Sequence, residues 1–430
     1  MTESRTTGYQ GTVAVLGLGY VGLPLVGLCI EAGYRVVGFD VDQSKVSSLL
    51  SSRSYVDDVA DPHIKEWLNR GFTPSHDPED LHLADIFIIC VPTPLAPAGG
   101  PDLTAVEAAA REIEEAINLR SASRASNPLV ILESTTYPGT TEEVVRPIFE
   151  KGGRDAGREF FLAFSPERID PGNTEWTIAN TPKLVGGVTA ACGDSAETFY
   201  RSLGLTVVRT KGTKEAEMAK LLENTYRHVN IALVNELWRL SHELGIDVWD
   251  VIAAAETKPY GFQAFRPGPG VGGHCIPIDP NYLSHRVRSE LGQTFRMIEL
   301  AQEINSTMPD YVVSRTQEML NESGKSLRGS SVVVLGVTYK PGISDMRESP
   351  AIPVLMGLMR RGAQVDFFDP YVEEIVLGDV TLRRVCDPDV SVEHADCVVL
   401  IQAHHELQAL VDSIESSRIL DTRGMKRETV

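Results

Sequence analysis

Residues 12–40 read TVAVLGLGYVGLPLVGLCIEAGYRVVGFD, and they indicate the architecture of the first half of the chain. A β-branched run ends in the glycine turn Gly17–Gly22, residues 23–32 have helical spacing, and a second strand-like run ends in Asp40. A G-x-G-x-x-G pattern alone is a weak signal, but here an acidic residue follows the last glycine by 18 positions within a strand–helix–strand unit. The stretch therefore predicts a dinucleotide-binding βαβ unit.

The glycine turn also suggests which dinucleotide binds. Its glycines allow a tight turn, a close approach of pyrophosphate to the helix N-terminus and close helix–strand packing. Asp40 can accept hydrogen bonds from ribose hydroxyls and would repel a 2′-phosphate, so NAD is predicted rather than NADP. A doubly wound domain that binds no nucleotide at this turn is the alternative.

Strand-like and helical segments continue to alternate up to residue 209. The strands are predicted at residues 85–91, 129–133, 160–165, 183–187 and 205–209. This alternation predicts a mostly parallel sheet covered on both faces, with ligands at the carboxyl ends of the strands. Three loops follow strands at that edge, at residues 91–94, 133–136 and 165–168, although each could be an ordinary turn or helix cap.

From Thr213 the pattern changes to one long helix. Its apolar residues recur at three-four spacing, which favours core packing or a dimer interface; they are Ala219, Leu222, Tyr226, Val229, Leu233, Leu237, Leu240 and Leu244. Beside this stripe, Lys220 and Asn224 lie one turn apart and project in the same direction. They are either site residues or ordinary solvated surface. Helix is also predicted up to Ala255 and again over residues 280–305.

Residues 267–280 read PGPGVGGHCIPIDP and form the most unusual loop of the chain. Four glycines permit close backbone approaches, a single cysteine, Cys275, follows them, and Asp279 comes four residues later. The loop is either a reactive site or a connection with a small buried cysteine.

The last third of the chain returns to an α/β pattern. Strands predicted at residues 331–337, 364–369, 396–401 and 418–421 indicate a smaller parallel sheet. Its first turn, Gly336–Lys340, lacks the G-x-G-x-x-G pattern, so a second dinucleotide is not expected. Lys340 and Arg347 could instead hold a nucleotide diphosphate, and the alternative is ordinary surface ion pairing of these cations with Asp345 and Glu348.

These segments together predict the fold class. It is an α/β fold with two Rossmann-like, doubly wound, parallel-sheet domains at residues 1–210 and 311–430, joined by a central helical domain with one long helix at residues 211–310.

Composition narrows the functional class. The chain has 430 residues, 42% of them hydrophobic, and 59 acidic against 40 basic residues give a formal charge of −19, which argues against nucleic-acid binding. The N-terminus lacks a signal pattern and no apolar run reaches the roughly 18 residues of a membrane span, so a cytoplasmic protein without a membrane partner is expected. The cysteines show no paired ligand spacing and are expected to be reduced thiols without zinc or another metal; they are Cys29, Cys90, Cys192, Cys275, Cys386 and Cys397.

Taken in order, the motifs resemble the UDP-glucose/GDP-mannose dehydrogenase family over essentially the whole chain. They are Gly17–Gly22, residues 92–94, 133–135 and 165–167, the pair Lys220 and Asn224, residues 272–279, and Lys340 with residues 345–349. The Gly-Gly-x-Cys-x-x-x-Asp element is the most specific of them.

Two stretches are similar to the branch that acts on UDP-N-acetylglucosamine: SPERIDPGN at residues 165–173 and PGPGVGGHCIPIDP at residues 267–280. The UDP-glucose branch more usually carries Ser-Pro-Glu-Phe-Leu-Arg-Glu at the first position. The chain also has residues 258–261, KPYG, where UDP-glucose enzymes place an arginine before the cysteine loop.

The resemblance implies an NAD-dependent 6-dehydrogenase that oxidises the C6 hydroxymethyl group of a UDP-hexose to a carboxylate in two hydride transfers. Cys275 would form a thiohemiacetal and then a thioester, with Lys220 lowering the thiol pKa. Lys220 or Asp279 would serve as the base in the first step. A homodimer or a higher homo-oligomer is expected.

The site residues that follow from the motifs and the resemblance fall into three groups. The catalytic group is Cys275, Lys220, Asn224, Asp279, Glu167 and Thr135. The cofactor group is Gly17, Gly19, Tyr20, Val21, Gly22, Asp40, Pro92, Thr93, Ser134 and Thr135. The substrate group is Glu167, Arg168, Lys220, Asn224, Gly272, Gly273, Lys340 and Arg347. His274 is expected to be structural, because in an extended loop it points away from its neighbour Cys275.

Two other functions stay open from the residues. One is a β-hydroxyacid-type NAD dehydrogenase that transfers a single hydride without a covalent step. The other is a catalytically inactive nucleotide-binding protein, which would have no need of Lys220, Cys275 and Asp279 together.

Overall fold

This computed structural model describes residues 10–96, 99–120, 127–168, 173, 175–273 and 275–426. The chain forms two compact units, divided between Leu222 and Glu223. The predicted division into three domains stays a prediction.

In the described residues, the first unit contains an eight-stranded sheet in the order β3-β2-β1-β4-β5-β6-β7-β8. The strands are β1 (Thr12–Leu16), β2 (Arg35–Phe39), β3 (Phe72–Ser75), β4 (Ile86–Ile89), β5 (Leu129–Leu132), β6 (Phe161–Phe164), β7 (Lys183–Gly187) and β8 (Val207–Arg209). Strand β1 pairs in parallel with both β2 and β4, so the strand order reverses beside the glycine turn. The predicted, mostly parallel sheet is confirmed.

Two features of this sheet were not predicted. Strand β3 has the sequence FTPS, and its proline and serine give it a low propensity for β-structure, so it was not predicted. Strand β7 pairs with β6 in the antiparallel direction, with Ala163 opposite Gly187.

Helices cover both faces of this sheet. They are α1 (Gly22–Glu31), α2 (Gln43–Leu50), α3 (Asp61–Asn69), α4 (Thr104–Leu119), α5 (Arg146–Glu150) and α6 (Ala190–Ser202), with a π-helical turn at Thr141–Val145 that runs into α5. Val13 and Val15 of β1 belong to one apolar cluster, and Ala14 and Leu16 belong to another. Since successive side chains of a strand point to opposite faces, each face has its own buried core.

Helix α7 (Thr213–Glu243) is the predicted long helix, and the division between the two units falls within it. The other helices of the second unit are α8 (Val248–Glu256), α9 (Asp279–Leu291), α10 (Arg296–Glu322), α11 (Ala351–Arg360), α12 (Pro388–His394) and α13 (Gln408–Ser413). The prediction of one helix over residues 280–305 was wrong, because Gly292 adopts a left-handed conformation with φ 62° that ends α9.

Leucines of the predicted apolar stripe do not pack into the core of this chain. Leu222 and Leu233 of α7 and Leu244, one residue beyond its end, are 63%, 60% and 71% exposed, whereas Asn224 and Asn235 of α7 are buried. Of the two explanations that the sequence left open, core packing is therefore wrong for these leucines.

The second unit contains a four-stranded sheet among its described residues, in the order β10-β9-β13-β14. Its strands are β9 (Ser331–Leu335), β10 (Gln364–Phe368), β13 (Cys397–Leu400) and β14 (Ile419–Asp421), all parallel, and β11 (Glu374–Leu377) and β12 (Val380–Arg383) form a separate antiparallel hairpin that was not predicted. The second Rossmann-like domain is confirmed.

No helix in the described ranges has both the length and the apolar character that crossing a membrane requires.

Candidate active site

The glycine turn after β1 is shaped for close contact with a ligand. Gly17 has φ +94°, and a Cβ there would lie 2.6 Å from the Cys90 carbonyl oxygen, while a Cβ at Gly22 would overlap the Gly17 carbonyl oxygen. A Cβ at Gly19 would meet no atom within 4 Å. Open space above the middle glycine fits the pyrophosphate of NAD. Tyr20 and Val21 lie in the same turn and are partly exposed.

Asp40 lies directly after β2 and holds the glycine turn in place. Its Oδ2 accepts hydrogen bonds from the Leu18 N–H at 2.9 Å and from Lys45 Nζ at 3.1 Å, and its Oδ1 accepts one from the Asp42 N–H at 3.0 Å. A carboxylate has about four acceptor sites, so a contact with the ribose stays a prediction. Sequence reasoning missed Lys45, which brings a positive charge to the place where Asp40 was expected to repel a 2′-phosphate.

The loops after β4 and β5 are joined at the same sheet edge. The Thr93 hydroxyl donates to the Thr135 carbonyl oxygen at 2.8 Å, and the Ser134 hydroxyl donates to the Val91 carbonyl oxygen at 2.7 Å. Pro92 lies exposed beside them. The structure thus brings together the four cofactor residues that were predicted from separate loops.

Glu133, the residue before Ser134, takes part in a buried ion pair. Lys183 Nζ is 2.7 Å from Glu133 Oε2, and the Tyr200 hydroxyl donates to Oε1 of the same carboxylate. Burial, and then the charge of Glu133, raise the pKa of Tyr200 well above its ordinary value, so the phenol stays protonated as a donor. Sequence reasoning noticed Glu133 but missed Lys183 and Tyr200, which only the fold brings to it.

The structure also brings Lys220 and Glu167 together in the first unit. Lys220 Nζ donates to the Glu167 carbonyl oxygen at 2.6 Å and lies 3.4 Å from its Oε2, and both residues are buried. Arg168 donates from Nη1 to the Pro182 carbonyl oxygen at 2.9 Å. Residues 169–172 of the SPERIDPGN stretch and Thr174 lie outside the described residues.

Glu217, three residues before Lys220 on α7, was missed by sequence reasoning. It accepts hydrogen bonds from the Gly139 N–H at 2.6 Å, the Thr141 N–H at 2.9 Å and the Thr141 hydroxyl at 2.7 Å. Burial raises the pKa of this carboxyl to about 7. Glu217 therefore ties the helix that carries Lys220 to the segment that follows Thr135.

In the second unit, Cys275 lies four residues before the first residue of α9 and is partly exposed. Its carbonyl oxygen accepts from the Asp279 N–H at 2.9 Å. The Asp279 side chain is buried and accepts a hydrogen bond at Oδ2 from Asn224 Nδ2 at 2.6 Å. The structure thus joins three predicted catalytic residues into one cluster. His274 lies outside the described residues.

Buried amides anchor the loop before Cys275. The Gly268 N–H donates to Asn235 Oδ1, and Asn235 Nδ2 donates to Asn305 Oδ1, each at 2.9 Å. The start of the glycine loop is therefore fixed to both α7 and α10.

The end of the same loop is fixed to the C-terminal domain. The Gly273 N–H donates to the Arg347 carbonyl oxygen at 3.0 Å, and a Cβ at either Gly272 or Gly273 would lie 2.7 Å from the Tyr339 side chain. Both positions need glycine because the Tyr339 side chain packs directly on the backbone.

The two predicted diphosphate ligands differ in their surroundings. The Arg347 guanidinium forms a two-pronged ion pair with Asp345, with Nη2 2.6 Å from Oδ2 and Nε 3.0 Å from Oδ1. This is the ion pair that the sequence left open, so a contact between Arg347 and phosphate stays a prediction. Lys340 lies in the turn after β9, where its carbonyl oxygen accepts from the Thr338 hydroxyl at 2.8 Å.

Arg423 is a further cation that sequence reasoning missed. Its Nε donates to the Ile401 carbonyl oxygen at 2.7 Å, and a Cβ at Gly268 would lie 2.6 Å from its Nη1. Burial lowers the pKa of its guanidinium to about 10. In the sequence, the one feature that could have indicated a role for Arg423 is its position two residues after the strand predicted at residues 418–421.

Among the described residues, no group of three or more histidine, cysteine, aspartate or glutamate side chains could hold a metal ion.

Known proteins are similar to this chain over more than nine-tenths of its length. It is 35% identical over 423 residues to a UDP-N-acetyl-D-mannosamine dehydrogenase of Pyrococcus horikoshii, covering 97% of this chain and 96% of that protein. It is 36% identical over 402 residues to a UDP-N-acetyl-D-glucosamine 6-dehydrogenase of Pseudomonas aeruginosa, covering 92% and 91%. The solved structure of the P. horikoshii UDP-D-ManNAc dehydrogenase matches with a TM-score of 0.85 and 34% identity, covering 97% of this chain and 96% of that one.

Three domain models match consecutive parts of the chain. The NAD binding domain matches residues 11–204, the central domain matches residues 214–307, and the UDP binding domain matches residues 333–428. The resemblance drawn from the motifs and the prediction of NAD as cofactor are confirmed, and the turn at Gly17–Gly22 lies within the NAD model. The chain belongs to the UDP-glucose/GDP-mannose dehydrogenase family, and it is an NAD-dependent oxidoreductase.

Proposed function

We propose that this enzyme oxidises the C6 hydroxymethyl group of a UDP-N-acetylhexosamine to a carboxylate in two successive two-electron steps, with Cys275 as the covalent nucleophile. The observation that carries the proposal is the cluster at the start of α9, where the backbone carbonyl of the partly exposed Cys275 accepts from the Asp279 N–H and the buried Asp279 carboxylate accepts from Asn224. A single hydride transfer from an alcohol needs no thiol. A second oxidation needs a nucleophile, which a thiol can supply, because an aldehyde gives up a hydride efficiently only after a nucleophile has added to it.

The cofactor residues of the first unit would hold NAD, one molecule for each of the two oxidations, and bound NAD would supply the hydride acceptor. The first oxidation removes a hydride from C6 and a proton from the hydroxyl group of the alcohol. Lys220 or Asp279 would guide this proton away, and Asn224 and Thr135 would orient the reacting oxygen.

The second oxidation would proceed on the cysteine. The Cys275 thiolate adds to the aldehyde carbon, loss of a hydride from that carbon leaves a thioester, and water then cleaves the carbon–sulfur bond. The products are the carboxylate and the regenerated thiol. Glu167, Asp279 and Thr135 are the residues we assign to the water of this hydrolysis.

The nucleotide would bind through the C-terminal domain, where Lys340 and Arg423 supply positive charge in a strongly acidic chain. A UDP-N-acetylhexosamine is favoured over UDP-glucose by the SPERIDPGN and PGPGVGGHCIPIDP stretches. The similar proteins include both a UDP-N-acetylmannosamine and a UDP-N-acetylglucosamine dehydrogenase. The proposal therefore includes both of these epimeric sugars as substrates.

The test measures NADH against sugar acid with UDP-N-acetylglucosamine, UDP-N-acetylmannosamine, UDP-glucose and GDP-mannose. We expect one of the UDP-N-acetylhexosamines to give two NADH per acid. One NADH per product would favour the β-hydroxyacid type of reaction, and NAD binding without turnover on any sugar would favour an inactive nucleotide-binding protein.

The nucleophile is tested separately with Cys275→Ser. This variant should lose formation of the acid by about a thousandfold or more, because a serine hydroxyl is a far weaker nucleophile at neutral pH. The matched control is Cys386→Ser, which changes an exposed thiol that has no assigned role. Full formation of acid by Cys275→Ser would refute the thioester.

A further inference from the structure

The turn after β9 in the second unit repeats the geometry of the NAD-binding turn in the first. The Gly17 N–H donates to the Phe39 carbonyl oxygen at 2.8 Å, and the Gly336 N–H donates to the Phe368 carbonyl oxygen at 2.9 Å. Both glycines have positive φ, at +94° and +75°. The two turns are therefore the same structural element in two different sheets.

The acidic residues that follow the second strand of each sheet also correspond. Asp40 accepts from the Leu18 N–H at 2.9 Å, and Asp369 accepts from the Val337 N–H at 2.7 Å, so each acid holds the residue after the first glycine. In a dinucleotide-binding domain this acid faces the ribose. The C-terminal domain has this acid, although its turn lacks the second and third glycines of the pattern.

The space that is open in the first turn is filled in the second. Counting from the first glycine, Thr338 takes the place of Gly19. No atom lies within 4 Å of a Cβ at Gly19, whereas Thr338 is fully buried. A pyrophosphate could not approach this backbone as it can approach the first turn.

His404 lies beside Thr338 in this turn. Ile89 pairs with Leu16 and Leu400 pairs with Leu335, and His404 follows four residues after Leu400 in the loop beyond the neighbouring strand. His404 is fully buried, and its Nε2 lies 3.1 Å from both Asp369 Oδ2 and the Thr338 hydroxyl oxygen. His404 thus forms a hydrogen bond with Asp369, the carboxylate that in a dinucleotide-binding domain would face the ribose.

Its hydrogen bonds identify the tautomer of His404. Nδ1 accepts from the Gly342 N–H at 3.1 Å, so it carries no proton, and Nε2 carries the proton that it donates. Nε2 therefore donates its proton to the Asp369 carboxylate, and the imidazole in this arrangement is neutral.

This arrangement fixes the segment on both sides of Lys340. Two residues before it, Thr338 contacts Nε2 and donates to the Lys340 carbonyl oxygen at 2.8 Å. Two residues after it, Gly342 is held by Nδ1. We propose that His404 is a positioning residue for substrate: it replaces the dinucleotide that this type of turn usually binds and holds residues 338–342 so that Lys340 meets the diphosphate of the nucleotide sugar. This inference rests on the proposed function, in which that domain binds a nucleoside diphosphate.

The test measures binding of UDP and of NAD separately by calorimetry on the full-length enzyme. His404→Ala should weaken UDP binding at least about tenfold and leave NAD affinity at the wild-type value. His404→Gln should recover most of the loss, because its amide can donate to Asp369 and accept from Gly342 as the neutral imidazole does. The matched control, His405→Gln, changes the exposed neighbour and should alter neither affinity.

Kinetics supply a readout that a general loss of stability would not give. The KM for nucleotide sugar should rise in His404→Ala by more than kcat falls, while the KM for NAD stays constant. Thr338→Val keeps the side-chain shape but removes the hydroxyl, so it should weaken UDP binding in the same direction even if His404→Ala does not fold.

The outcomes separate the inference from the proposed function. If the wild type binds UDP and His404→Ala or Thr338→Val binds it equally well, His404 does not position the site. Equal losses of UDP and NAD affinity would also overturn the inference, since they would indicate a general structural role. If the wild-type enzyme does not bind UDP at all, the proposed function fails and this inference fails with it.

Discussion

Glu217 is a residue whose protonation depends on the fold. Its pKa is raised by burial from 4.5 to about 7, so the folded state holds a proton that the unfolded state releases between these pH values. Folding stability should therefore fall as the pH rises from about 4.5 to about 7, by on the order of 3 kcal/mol in total.

Glu217→Gln removes this titration. Its melting temperature should rise relative to that of the wild type as the pH increases through this range, and the difference should become constant above it. Thermal unfolding from acid to neutral pH measures the effect, with the exposed Glu215→Gln on the same helix as control. A constant difference between Glu217→Gln and the wild type across the range would contradict the assignment.

At the scale of elements, glycine has two different roles in the turn between β1 and α1: Gly19 leaves space for a ligand, and Gly22 allows close packing of the turn itself. Gly19→Ala adds a methyl group to open space, so the fold should keep its melting temperature. Affinity for NAD should nevertheless fall at least about tenfold, because the methyl group occupies the space we assign to the pyrophosphate. Calorimetric titration with NAD measures this loss.

Gly22→Ala supplies the contrast within the same element. Its methyl group would overlap the Gly17 carbonyl oxygen, so the turn itself must change and the melting temperature should fall together with NAD affinity. If Gly19→Ala lowered stability as much as Gly22→Ala, or bound NAD like the wild type, the two roles would not be distinct.

At the scale of the whole molecule, the exposed leucines of α7 predict self-association. A stripe of apolar side chains along one long helix is costly to leave in water, and a second copy of the same helix offers a matching surface. Replacing Leu233 and Leu240 together with lysine should shift the enzyme from dimer, or a higher oligomer, to monomer in sedimentation or light-scattering measurements.

The control for this prediction is Leu119→Lys, which places the same charge at a similarly exposed leucine at the end of α4. It should leave the assembly unchanged. A monomeric wild type, or an assembly that persists in the double lysine variant, would show that α7 is not the interface.

The sequence by itself determined the features that depend on residues close together in the chain, namely the secondary-structure elements and the short motifs. The βαβ unit at residues 12–40, the alternation that builds a mostly parallel sheet and a smaller parallel sheet, and the long helix from Thr213 all follow from spacing, turn residues and periodicity. The family, the cofactor and the cysteine motif also followed, because they rest on short continuous motifs in a fixed order along the chain.

Only the tertiary structure decided which distant side chains meet. Lys183 reaches Glu133 across 50 residues, and His404 reaches Thr338 across 66, and no local pattern records either pairing. It also decided that the leucine stripe of α7 is exposed while Asn224 and Asn235 are buried, because periodicity locates a face of a helix but not what covers it. Burial and hydrogen bonding are properties of the assembled chain, so the carboxyl of Glu217 and the imidazole of His404 acquire their roles only in the fold.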